Sequence, residues 1–127
     1  MSETFDVQKA LYSALVAANV CGGRVYDHAE QNVTYPFCEL NEPNVLNDWH
    51  SGSPGTEYRY ACQIWSEYAG NKECLDNYEL IVRAVDGIRL PLNSGTLHSY
   101  VEGGPIQRQN DGVRRRMIVM VTLSHQY

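Results

Sequence analysis

Apolar residues recur along this chain at two different periods, and the switches between them mark its elements. From Thr4 to Asn19, Val7, Leu11, Ala14, Leu15 and Ala18 fall three or four apart, the spacing of one helical stripe. Ser2 or Thr4 can cap its start, and Gly22-Gly23 supplies the left-handed backbone that closes a helix. A second helix is predicted after Gly70-Asn71. Leu75, Tyr78, Ile81, Val82 and Val85 form its apolar face, Glu73 sits in its first turn, and Gly87 stops it.

Elsewhere the period is two. Val25-Tyr26 is a short extended piece, and Phe37-Cys38-Glu39-Leu40 opens a strand behind Pro36, a residue tolerated at strand starts. Residues 41–55, "NEPNVLNDWHSGSPG", are too polar and too broken for an element. They are predicted as a long loop that docks a partner through Val45, Leu46 and Trp49. In "TEYRYACQIWSEY", Tyr58, Tyr60, Cys62 and Ile64 take one face, while Glu57, Arg59, Gln63 and Trp65 take the other. Trp65 on the polar face either lies against a neighbouring loop or anchors a subunit contact. "IRLPLNSG" reads as a connector. "TLHSYVEGGPIQRQ" reads as a strand with a bulge or bend at Gly103-Gly104-Pro105, and Asn110-Asp111-Gly112 as a hairpin turn into "VRRRMIVMVTLSH".

That last strand has apolar residues on both faces. Met117, Val119, Val121 and Leu123 share one, while Ile118 and Met120 share the other with Arg114 and Arg116. A strand of this kind is covered on both sides. Two helices can cover one, and a second copy of the chain is predicted to cover the other. The expected fold is a single α+β domain over residues 1–127. Its sheet is mainly antiparallel and four-stranded, with two helices on one face and the order α-β-β-α-β-β.

Composition narrows the partners. At 127 residues the chain has room for one domain with a real core. Its net charge of −5 opposes phosphate binding, and the Arg114-Arg115-Arg116 run is split by strand alternation. Nine tyrosines against two phenylalanines suit a surface buried against partners. Cys21, Cys38, Cys62 and Cys74 have neither zinc-knuckle nor C-x-x-C spacing, so they are read as reduced, mostly buried thiols. The N-terminus lacks the basic segment of a signal peptide, and no apolar run is long enough to span a membrane.

Tyr26-Asp27-His28 with Glu30 is the densest group of proton- or metal-capable side chains. His50, His98 and His125 offer it no spaced partner, and no nucleophile elbow, P-loop or dinucleotide motif occurs. No catalytic residue, metal site or cofactor is expected, and the chain is read as not an enzyme.

The order and spacing of all these segments resemble the tail completion proteins of long-tailed bacteriophages. These are also called tail terminators or head-to-tail joining proteins, and they have relatives in gene transfer agents. The likeness covers nearly the whole chain. It rests on Arg24-Val25-Tyr26-Asp27 followed by Tyr35-Pro36-Phe37, on Ile64-Trp65-Ser66 and on the Asp111-Gly112 hairpin. Ala29-Glu30 stands where family members often carry proline or valine. The resemblance implies a structural virion protein of the tail neck, assembled in the host bacterial cytoplasm. It implies a homo-hexameric ring on the head-proximal end of the tail tube, with the tube protein and the head–tail connector (stopper) as partners. DNA would pass through the lumen without specific binding. Tyr26, Asp27, Pro36, Asp111 and Gly112 then become turn devices, with Asp27 accepting from nearby backbone amides. Trp49, Trp65, Arg114, Arg116, Ile118 and Met120 become interface candidates. The arginines are expected to meet acids of a neighbouring subunit, with Glu57, Glu67 or Glu102 as candidates. Another neck component, a stopper or adaptor, is the alternative. From a different class, the alternative is a small metal-dependent hydrolase using Asp27, His28 and Glu30.

Overall fold

The computed structural model describes residues 3–27, 32–41, 43–47, 55–68, 70–92, 95–109 and 114–126. Helix α1 spans Glu3–Ala17, and a short 3-10 turn, Val20–Gly23, follows it. The strands are β1 Val25–Tyr26, β2 Phe37–Leu40, β3 Asn44–Asn47 and β4 Gly55–Ser66. After helix α2, Lys72–Val85, come β5 Arg89–Leu92, β6 Gly95–Arg108 and β7 Arg115–Gln126. All seven strands form one sheet, in the order β1-β2-β4-β7-β6-β5 with β3 also on β4.

The two predicted helices and the α+β class hold, but the four-stranded sheet does not. Three further strands lie in segments too short or too broken to show a period. Val25-Tyr26 pairs in parallel with Cys38 and Glu39, the one parallel ladder among antiparallel ones. Asn44–Asn47, inside the expected loop, pairs with Thr56 to Arg59. Arg89–Leu92, the expected connector, pairs with Gly95 to His98. Strands β3 and β5 borrow a long neighbour as template, and β1 pairs with β2, itself held on β4, so tertiary context overrides weak local propensity.

Registry sorts the residues by face. Cys38, Ile64 and Met117 lie across from one another, as do Tyr60, Val121 and Val101. These rows face the helices, where Leu11, Leu15, Ile81, Val85, Tyr58 and Leu97 complete a core exposed by 2% or less. The buried side of α2 is Cys74, Asn77, Ile81 and Val85, while Leu75, expected in the stripe, is 45% exposed. Asn77 replaces it as the contact that matters. Its Oδ1 accepts from the Cys21 amide at 2.7 Å and its Nδ2 donates to the Glu73 carbonyl at 2.8 Å. One buried amide therefore stitches α2 to the turn after α1.

Two chain reversals show how backbone conformation is met. Helix α1 stops at Ala17, ahead of the glycine pair, because Asn19 (φ 61) and Cys21 (φ 51) already take the left-handed region. In β6 the register slips between Gly103 and Ile106, where a bulge was expected. A Cβ on Gly104 would lie 2.5 Å from the Ile118 carbonyl oxygen, so only glycine allows the two strands this approach.

Candidate functional site

The face of the sheet away from the helices carries the even-numbered residues of β7 and their cross-strand neighbours. Its most elaborated row is Phe37 on β2, Trp65 on β4, Arg116 on β7 and Gln107 on β6. Phe37 is the hub. Its ring stacks on Trp65 at 6.3 Å and 15°, meets Tyr35 edge-on at 5.1 Å and lies 6.2 Å from Tyr26. These neighbours leave Phe37 only 6% exposed, although no helix covers it. Two arginines lie on the cluster: Arg114 over Tyr35 at 5.4 Å and Arg116 over Trp65 at 5.6 Å. Arg116 also donates from Nη2 to the Gln107 side-chain oxygen at 2.6 Å. Below this row, Ile118 pairs with Gln63 and Met120 with Ala61 and Glu102, all on the same face. Both apolar side chains are half-buried.

The structure thus brings together Trp65, Arg114, Arg116, Ile118 and Met120 on one surface, joined by Tyr26. Arg115 faces the other way, is 7% exposed and lies near Cys74 on α2. Of the expected acid partners, Glu57 is held by Arg59 of the same chain at 2.7 Å. Glu67 and Glu102 are exposed. Trp49, His28, Glu30, Asp111 and Gly112 lie outside the described residues.

Around β1, where turn devices are expected at Tyr26, Asp27 and Pro36, the structure shows contacts made by Arg24. Arg24 donates from Nε to the Pro36 carbonyl at 2.9 Å, and its own carbonyl accepts from the Cys38 amide at 2.9 Å. Pro36 contributes a carbonyl acceptor rather than only a stiff backbone. The nearest sequence signal was the Arg-Val-Tyr-Asp run itself, in which Arg24 and Tyr26 are half-buried. Asp27 is exposed, on the wall of a groove of about 330 Å³ between α1 and β1 that Phe5, Tyr12 and Tyr26 also line.

Among the described residues no group of three His, Cys, Asp or Glu side chains could hold a metal ion, and no helix is long and apolar enough to cross a membrane. The four cysteines are free and buried. The surroundings of Cys21, Cys38 and Cys74 hold their thiols protonated. Burial raises Cys21 first and the neighbouring Cys38 adds to it, whereas Cys38 is raised by its hydrogen bond with Cys62 and then by burial. Burial pushes Cys74 up to about 11, with Glu73 adding and Arg115 opposing. A thiol held in this way is a poor nucleophile.

What the geometry offers is a contact surface. Residues 7–122 match the family model of the tail completion protein gp17. The chain belongs to that family. A chain in the virion of a native gene transfer agent particle shares its fold. The TM-score is 0.80 at 17% identity, covering 99% of this chain and 98% of that one. No curated protein matches the chain. Membership of the tail completion family makes this a structural component of a virion tail.

Proposed function

We propose that the chain is a tail terminator, which closes the head-proximal end of the phage tail tube as a hexameric ring and presents the surface to which the head joins. The observation that carries it is the family match from residue 7 to 122, over a subunit with one sheet face clothed by helices and the other bare. A cyclic ring needs two different patches on each subunit. The bare face with Trp65, Arg114, Arg116, Ile118 and Met120 supplies one. Trp49, in the segment before β4, is a further candidate contact. The tail tube protein and the stopper of the connector are the neighbours above and below, in the neck of a virion put together in the bacterial cytoplasm. A net charge of −5 suits a ring through which DNA slides without sticking.

Negative-stain imaging of the purified protein, alone and mixed with isolated tail tubes, tests this directly. Six-fold rings seated at one end of the tubes are expected. A protein that stays monomeric at high concentration and leaves both tube ends bare would sink the proposal.

A further inference from the structure

We infer that the aromatic row on the bare face is a binding site for an extended acidic segment of a partner protein, with carboxylates at alternate positions meeting Arg114 and Arg116. This rests on the bare face being the one turned to partners. The first reason is an unmet charge. Arg116 lies on Trp65 and donates to a neutral amide, yet among the described residues it has no ion pair. Its Nε is buried and has no hydrogen-bond acceptor. The enclosed Nε raises the cost of leaving this guanidinium without a counter-charge, and an incoming acid supplies one at the exposed Nη side.

The second reason is preorganisation. A ring beneath a guanidinium engages its flat face and leaves N–H edges for an acceptor. Trp65 does this for Arg116, Tyr35 lies under the guanidinium of Arg114, and both rings pack on Phe37. The third reason is spacing. Alternate residues of a strand stand roughly 6.6–7 Å apart. The alternate side chains of any extended segment laid over β7 repeat at that same interval, so two acids can engage both arginines at once.

Duplex DNA is the competing occupant, and the charges disfavour it. Arg115 points into the core, leaving Arg114 and Arg116 as the cations of the aromatic row, on a chain of net charge −5. Two phosphate contacts give a salt slope of only about −2, too small for firm binding at physiological salt.

The test uses the full chain and four labelled probes, read by fluorescence anisotropy. They are a ten-residue peptide alternating Glu and Thr, one of the same composition with its five Glu in a block, one alternating Lys and Thr, and a 20-base-pair duplex. The alternating Glu peptide is expected to bind saturably and more tightly than the block peptide, with salt weakening it. Arg116→Gln and Arg114→Gln should each weaken it about tenfold, the effect of losing one charged hydrogen bond. Arg116→Lys should retain more binding than Arg116→Gln, and Arg83→Gln, on the far side of α2, should change nothing. Thermal melts check that each variant is folded, and Arg114→Gln carries the test if Arg116→Gln is not. Absent saturable binding, equal affinity for the two acidic peptides, or tighter duplex binding lost in the same variants would each overturn the inference. Rings forming on tubes while the alternating peptide fails to bind would overturn this site alone and leave the terminator proposal standing.

Discussion

The two faces of β7 make the most instructive comparison in this molecule. On one, Met117, Val119, Val121 and Leu123 are exposed by 4% or less and packed under both helices. On the other, one residue away in each case, Arg116, Ile118 and Met120 are half-buried with no helix above them. The covered face explains why the subunit folds, because burying large aliphatic and aromatic groups is the main favourable contribution. The bare face is not needed for that. Its aromatic and cationic side chains are the ones the proposed ring would set against a neighbour. On that proposal, stability and assembly are separated by the pleat of a single strand.

Substitutions can break that separation or sharpen it. The largest effect belongs to the covered face. Ile81→Ala, at a fully buried site of α2, should cost about 2–5 kcal/mol in chemical denaturation. Gly104→Ala comes next, at about 1–3 kcal/mol, because the new methyl meets a backbone carbonyl that cannot swing away. A loss no larger than for a surface site would mean that the β6 bulge yields easily.

Alkaline pH probes the same core without mutation. Cys21 and Cys38 have raised values in the fold, against 9.0 for an unperturbed thiol. Their stabilisation is thus fully present below pH 9 and declines above it, where the unfolded chain ionises and the folded one does not. Between pH 9 and 10 each should cost about 1 kcal/mol, with Cys74 acting in the same direction. Flat stability across that window would show that the thiols are less enclosed than the fold implies.

The smallest effect on stability is the sharpest test of the comparison. Ile118→Ala and Met120→Ala should each change the free energy of unfolding by less than about 1 kcal/mol, while ring formation on tail tubes drops markedly. If either variant unfolds as readily as Ile81→Ala, the bare face is part of the core after all. If both assemble normally, the neighbours sit elsewhere.

Much of this was legible in the sequence wherever a period ran long enough to be counted. Helix α1, helix α2 and strands β4 and β7 each carry four or more residues in phase, and the buried faces of α1, β4 and β7 came out as read. In α2, Ile81 and Val85 are buried, Tyr78 and Val82 are half-buried, and Cys74 and Asn77 take the place expected of Leu75. What escaped lacked either length or chemistry that advertises itself. Strands β1, β3 and β5 have two to four residues each and exist because β2, β4 and β6 hold them. Asn77 looks like any helix-surface amide until α2 is laid beside Cys21. On the surface itself, Trp65 stood out as a misfit on a polar face and Arg114 and Arg116 as a cluster split by alternation, but Phe37 looked like a plain strand start. Only registry across β2, β4 and β7 puts it under the same cluster.

The slip in β6 has one more consequence. Before Gly103, odd-numbered residues look toward the helices: Leu97, Ser99 and Val101. After it the parity inverts, and Ile106, opposite Met117, is the one that looks inward. The glycine pair works like an inserted letter that shifts a reading frame, so that one strand spells two different alternations. Deleting a single residue there would remove the inserted letter and restore one unbroken alternation, with Gly103 still opposite Val119, Ile106 still opposite Met117 and Gln107 still opposite Arg116. What would be lost is the local bend and added twist that the extra residue puts into β6.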